Sequence, residues 1–191
     1  LDQIKETVRL ASGLDAKNNL TKESQLFALE VLTRFSERLS NFKKSQVRVV
    51  GTSTLRVANN SAEFITIANK ALGFPIEVIS GKEEARLIYI GAMHSLAYTT
   101  EKRLVIDIGG GSTEFIIGEG YEPQIMESVT MGCVSYTGRY FTDGQLTEAN
   151  FNNAIYAARS KIQSMEHLFA EHDWLLAIGT SGTAKTLYDM C

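Results

Sequence analysis

One stretch limits the fold of this chain more than any other. It is Arg103-Leu-Val-Ile-Asp-Ile-Gly-Gly-Gly-Ser-Thr-Glu-Phe-Ile-Ile-Gly118. Residues 104–108 are apolar except for Asp107, which is the pattern of a buried strand carrying one internal charge. Gly109, Gly110 and Gly111 then form a turn without side chains, so that backbone N–H groups can come close to a ligand. Ser112 and Thr113 add hydroxyls, and residues 115–117 resume an apolar strand. Asp107 and Glu114 flank the turn, a placement suited to a divalent metal beside an anion cradled by the glycines. No Gly-Lys-Ser/Thr follows, so this is not a Walker loop. The third glycine and the following helix of a dinucleotide fingerprint are also missing. A tight hairpin with a buried, hydrogen-bonded aspartate is the alternative reading of the same residues.

Two other segments share the character of this turn. Gly51-Thr-Ser-Thr-Leu-Arg56 follows an expected strand at 46–50, with Arg56 as a cation behind three hydroxyls. Its other reading is a loop that caps the next helix. Gly179-Thr-Ser-Gly-Thr-Ala-Lys185 follows an expected strand at 174–178 and opens a helix, whose first amides have no partner within the helix. Three glycine and hydroxyl loops at strand ends point to a site that holds phosphate groups, with Gly179, Ser181 and Gly182 among its ligands.

The remaining segments read as scaffold. A weak strand is expected over 1–10. Thr21 caps a long helix over about 22–43, whose apolar face is Ala28, Leu32, Phe35, Leu39 and Phe42. A short helix at 61–71 precedes a strand at 76–80. Glu83 and Glu84 then stand in the first turn of a helix running to about residue 95, where they favour its dipole. They point about 100° apart, so at most one of the two enters a site. Residues 97–102 are the best candidate linker, dividing the chain into domains at 1–96 and 97–191. Beyond the hairpin come a third antiparallel strand at 124–129, a short helix to Phe141 and a second long helix capped by Thr147. Its apolar face is Phe151, Ile155, Ala158, Ile162, Met165 and Phe169.

Composition excludes several function classes. The 191 residues are 44% hydrophobic and 21% charged, as expected of an ordinary globular chain. The net charge of −3 is no electrostatic footprint for nucleic acid. No apolar run is long enough to span a membrane. Cys133 and Cys191 match no metal-binding spacing and read as reduced thiols of a cytoplasmic protein.

Taken together, Ile79-Ser-Gly-Lys-Glu-Glu-Ala-Arg-Leu-Ile88, Val105-Ile-Asp-Ile-Gly-Gly-Gly-Ser-Thr-Glu114, Met131-Gly-Cys-Val-Ser135 and Gly179-Thr-Ser-Gly-Thr183 resemble the Ppx/GppA phosphatases. These are the exopolyphosphatases and guanosine pentaphosphate phosphohydrolases of the actin/sugar-kinase/chaperone superfamily. The resemblance implies an α/β fold of two ribonuclease-H-like (actin-like ATPase) domains, each a mixed sheet with flanking helices and each incomplete here. It implies that Glu84 is the general base that activates water. Asp107, with Glu114, would position Mg²⁺, and the amides of Gly109, Gly110, Gly111, Ser112 and Thr113 would bind phosphate. Arg56 would neutralise further phosphate charge. The expected substrates are inorganic polyphosphate or the stringent-response nucleotide guanosine pentaphosphate. A homodimer is in keeping with such families, although no residue pattern marks an interface. The family's Asp-x-Gly-Ser-Asn-Ser loop has no counterpart in this chain, and Leu1 stands where an initiator methionine is expected, so the chain reads as a fragment. Two alternatives remain: an ATP-using kinase of the same superfamily, and a non-catalytic phosphate or nucleotide sensor. The Glu-Glu-Ala-Arg stretch weighs against the kinase.

Overall fold

A computed structural model describes residues 3–191. The chain divides into two compact units, the first ending at Ile79 and the second spanning Ser80–Cys191.

The first unit is a short βαβ arrangement under a long helix. Residues 3–9 form no strand among the described residues, and Leu1 and Asp2 of the strand expected over 1–10 lie outside them. A loose alternation of side chains has no ladder to join here, since among the described residues the unit's sheet contains only β1 (Val49–Gly51) and β2 (Ile76–Val78). A single 3-10 turn at Leu10–Gly13 leads instead to α1 (Lys22–Leu39). The Thr21 hydroxyl accepts from the Ser24 amide and starts α1 where its sequence pattern does. The helix stops at Leu39 rather than near residue 43, and Phe42 lies beyond it, exposed. A second 3-10 turn, Lys44–Gln46, takes up the start of the expected strand over 46–50, so β1 begins only at Val49.

β1 and β2 are parallel, which requires a crossover, and α2 (Ser53–Val57) with α3 (Ser61–Leu72) supplies it. Leu20, Ala28, Leu55, Ala58, Phe64 and Ala68 form the core between these helices. Asn60 ties this core to the loop before α1: its Oδ1 accepts from the Leu20 amide at 2.8 Å and its Nδ2 donates to the Leu20 carbonyl at 3.0 Å. α3 ends on Gly73, whose φ of 81° is the left-handed value that favours glycine at a helix C-terminus.

The second unit is a four-stranded mixed sheet in the order β5-β4-β3-β6. β3 (Lys102–Ile108), β4 (Thr113–Glu119) and β5 (Glu122–Val129) are an antiparallel meander, and β6 (Leu176–Thr180) joins parallel to β3. α4 (Gly81–His94) lies across β4 and β5. Ala85, Tyr89 and Met93 form its inner face, spaced four apart, and pack with Val105 and Ile116 into one buried cluster. This packing places α4 with the second sheet. The division therefore falls at 79/80, not at the expected 96/97, and residues 97–101 connect α4 to β3 within one unit. The polarity of that segment reflects exposure, not a domain boundary.

The helices after β5 depart from their spacing. α5 (Cys133–Tyr140) is short, as expected. Thr147 caps α6 (Glu148–Gln163) by accepting from the Asn150 amide, but the helix breaks there, and α7 (Glu166–Ala170) follows as a separate turn. Of the apolar stripe expected over 151–169 only Met165 is buried, whereas Phe151 and Ile155 are each 46% exposed. β6 runs two residues later than the expected 174–178, because Leu176 is the residue that registers with Arg103 of β3. α8 (Ser181–Met190) starts directly at its end. Among the described residues no helix is long and apolar enough to cross a membrane.

Candidate active site

The two carboxylates flanking the glycine turn face one another across the hairpin, since Asp107 of β3 is in register with Glu114 of β4. On its other side Asp107 is in register with Thr180 of β6, and Glu114 is in register with Ser128 of β5. Four neighbouring strands thus bring Thr180, Asp107, Glu114 and Ser128 into one row at the same end of the sheet.

Glu114 is only 1% exposed. Burial pushes its carboxyl above the usual carboxylate range, against the pull of the Ser128 and Ser112 hydroxyls, and the charges of Glu84 and Asp107 push it further up. The Ser128 hydroxyl donates to Glu114 Oε1 at 2.8 Å. Burial also raises Asp107, opposed by the hydroxyls of Thr180 and Ser181. The Thr180 hydroxyl faces Asp107 without closing a hydrogen bond of good geometry, and its Oγ1 is otherwise buried with no partner. Ser181, with φ 73°, adopts a left-handed backbone at the first residue of α8.

The structure separates the two adjacent glutamates. Glu83 is held on its own helix by Arg86, with Nε to Oε2 at 2.7 Å and Nη2 to Oε1 at 2.9 Å. Glu84, one position on, lies near enough to Glu114 for its charge to act there. The Ser80 hydroxyl accepts from the Glu83 amide and fixes the start of α4. An ion pair between Lys82 and Glu127 at 3.2 Å ties the same turn to β5. Three carboxylates from α4, β3 and β4 thereby gather beside the glycine turn.

The turn itself closes with the Gly109 amide donating to the Ser112 carbonyl at 3.0 Å. Neither Gly109 nor Gly110 has a left-handed backbone, so what they provide is room rather than an unusual φ. Among the described residues the amides of Gly110, Gly111 and Ser112 donate to no protein acceptor. The Thr113 hydroxyl donates to the Met131 carbonyl, so it braces the connection after β5 and is not turned toward a ligand.

The other expected phosphate ligands divide between the units. Gly179, Ser181 and Gly182 stand at the β6–α8 junction, level with Asp107, and a Cβ at Gly179 would press on Ala184 at 2.9 Å while one at Gly182 would meet nothing. Arg56 belongs to the first unit, where its Nη1 donates to the Ile79 carbonyl at 2.9 Å. The expected loop 51–56 is instead mostly the helix α2, whose N-cap Thr52 makes no side-chain capping hydrogen bond, so its helix-capping reading does not hold either. Sequence reasoning did not single out Ser128, Thr180 or Gly132. Only the sheet register and a close backbone contact reveal them.

No group of three or more His, Cys, Asp and Glu side chains is disposed to hold a metal among the described residues. Mg²⁺ asks for less: one or two carboxylates, with water and phosphate oxygens completing its shell. Asp107 and Glu114, opposed and raised by burial, fit that demand, because a cation would hold both ionised.

The sequence pattern of the Ppx/GppA phosphatase family matches residues 1–191. The chain belongs to the Ppx/GppA phosphatase family. Within it, the chain is 46% identical over 188 residues to a guanosine-5'-triphosphate,3'-diphosphate pyrophosphatase of Vibrio cholerae serotype O1, in an alignment covering 98% of this chain and 38% of that protein. The chain therefore spans about two fifths of the length of such relatives. Among solved Ppx/GppA-related structures, an exopolyphosphatase-like protein superposes with a TM-score of 0.89 at 28% identity, covering 97% of this chain and 58% of that one. An exopolyphosphatase from Cytophaga hutchinsonii gives a TM-score of 0.83 at 29% identity, covering 100% and 61%. The actin-like α/β fold expected of a Ppx/GppA member is the fold observed.

Proposed function

We propose that this chain carries the catalytic carboxylates and a phosphate-binding turn of a phosphoric anhydride hydrolase, acting in the cytoplasm on guanosine pentaphosphate or inorganic polyphosphate. The observation that carries this reading is the convergence of Glu84, Asp107 and Glu114 beside a turn whose Gly110, Gly111 and Ser112 amides have no protein acceptor among the described residues. Glu84 would take the proton of the attacking water. Asp107, with Glu114 behind it, would hold Mg²⁺, which when bound neutralises charge on the phosphate being cleaved. The turn amides would receive the non-bridging oxygens, and the Ser181 hydroxyl beside Asp107 extends the polar rim toward α8. Ser128 would keep Glu114 oriented through its 2.8 Å hydrogen bond. Guanosine pentaphosphate is favoured over polyphosphate because the relative at 46% identity bears that activity in its name, whereas the exopolyphosphatases compared are below 30%.

The test is Mg²⁺-dependent release of orthophosphate from guanosine pentaphosphate, polyphosphate and ATP, measured side by side with wild type and Glu84→Gln. Loss of a general base lowers the rate by about 10²–10⁴-fold, and that loss is the expected result. Release that survives Glu84→Gln overturns the assignment of the base. Binding of phosphate without release from any of the three substrates favours the sensor.

A further inference from the structure

Met131-Gly-Cys-Val-Ser135, the connection from β5 into α5, lies against the glycine turn rather than at a distance from it. The Cys133 amide donates to the Gly109 carbonyl at 2.9 Å, and the amides of Val134 and Ser135 donate to the Gly110 carbonyl at 2.9 and 3.0 Å. The first amides of α5, which a helix leaves unpaired, are thereby used on the turn and are not available to an anion. The two carbonyls belong to the peptide groups 109–110 and 110–111. Both are trans, and in a trans peptide the C=O and N–H point in opposite directions. Holding these carbonyls toward α5 therefore turns the N–H groups of Gly110 and Gly111 away from it, two of the three turn amides that find no acceptor among the described residues.

Gly132 makes this contact sterically feasible. A Cβ on Gly132 would stand 2.4 Å from the carbonyl carbon of Gly110, 2.5 Å from its oxygen and 2.5 Å from the Gly111 nitrogen. The peptide group 110–111 thus rests directly on the Gly132 backbone. Ser135 locks the support from below: its hydroxyl accepts from the Gly132 amide at 3.2 Å and donates to the Gly132 carbonyl at 3.0 Å. Hydrogen bonds in series polarise one another, so the donors of α5 also make the Gly110 and Gly111 N–H groups stronger donors.

We propose that Gly132 and Ser135 are positioning residues for anion binding: they hold the 109–110 and 110–111 peptides with their N–H groups facing outward, and Gly110 and Gly111 are the amides that bind phosphate. This rests on the reading of the turn as a phosphate site. It adds that α5 is the strut of that site and not a second anion donor.

The test is an amide-resolved NMR titration of the chain with inorganic phosphate, alongside calorimetric phosphate affinity and the hydrolysis assay. In wild type, the Gly110 and Gly111 amide protons move on phosphate addition, and those of Cys133, Val134 and Ser135 stay in place. Gly132→Ala abolishes the Gly110 and Gly111 response and weakens phosphate binding at least about tenfold, as expected when charge-assisted bonds are misaligned, while amides on β4 and β5 keep their shifts. Ser135→Ala weakens binding severalfold, and Ser135→Thr restores it; if Gly132→Ala does not fold, this pair decides. Wild-type phosphate affinity in Gly132→Ala or in Ser135→Ala overturns the proposal, as does a response centred on Cys133, Val134 and Ser135. Hydrolysis with unchanged affinity in the variants sinks this proposal and leaves the hydrolase reading standing. A Gly110 and Gly111 response lost in Gly132→Ala, in a chain that hydrolyses nothing, does the reverse.

Discussion

Glu114 has the least exposed carboxylate in the candidate site, and its ionisation has a sign that can be checked. Its folded pKa lies above the ordinary 4.5, with burial as the main cause. The folded chain therefore holds this proton more tightly than the unfolded chain does. Below 4.5 both states are protonated and no penalty arises. As pH rises from there through the raised folded value, stability is lost, and the loss persists at neutral pH. Glu114→Gln removes the charge and keeps the shape, so it raises Tm at pH 7 in the absence of divalent cations. That gain shrinks toward zero as pH approaches 4, and thermal unfolding at several pH values checks it. A Tm lowered at pH 7 would mean that the ionised carboxylate is well compensated within the fold. The residue types here were legible in the sequence: an aspartate inside an apolar run, and a glutamate after a glycine turn. The residue pattern by itself did not choose between Glu83 and Glu84, although the family resemblance implied Glu84. Both suit the first turn of a helix, and only the side-chain pairing of Glu83 with Arg86 and the approach of Glu84 to Glu114 separate them.

At the scale of elements, α4 against the meander is the contact that delivers Glu84, and it depends on one close approach. Tyr89 is fully buried, and its hydroxyl donates to the Gly120 carbonyl at 3.3 Å. A Cβ on Gly118 of β4 would fall 2.4 Å from Tyr89 Cζ and 2.5 Å from the Glu122 carbonyl oxygen. Gly118 sits where the β4–β5 register shifts, so backbone and ring press on the same position. Gly118→Ala is expected to cost about 1–3 kcal/mol through overpacking, read as a lower urea midpoint with an unchanged m-value. The starts of α1 and α6 follow their capping threonines, because a cap acts within three residues of chain. The end of α6 escapes the same kind of reading. Its apolar spacing continues to Phe169, yet the helix breaks at Ser164 with half of that face exposed, for spacing marks which side of a helix is apolar and not what covers it.

For the whole molecule, the assignment of α4 to the second unit makes a prediction about where the chain can be cut. Residues 80–191 retain the cluster of Ala85, Tyr89, Met93, Val105 and Ile116. Residues 97–191 lose three of its five members and expose Val105 and Ile116 on one face of the sheet. Each side chain of this kind is worth about 1.5–3 kcal/mol when buried. The longer piece is expected to unfold cooperatively with dispersed amide resonances, and the shorter one to bind hydrophobic dye without a thermal transition. Equal behaviour of the two would show that the cluster does not govern this unit.

The sequence by itself determined the order of the longer helices and of the strands from β1 onward, the strand–glycine–strand centre, the capped helix starts and the membership of the Ppx/GppA family. These rest on interactions between near neighbours: alternation along a strand, a cap three residues away, a turn that needs room. The tertiary structure alone decided the row of Thr180, Asp107, Glu114 and Ser128, the seat of the glycine turn on Gly132 and the unit to which α4 belongs. Each of these joins residues far apart in the chain, such as Asp107 and Thr180. Such pairings are chosen by the burial gained when distant segments close against one another, not by the preferences of either segment alone.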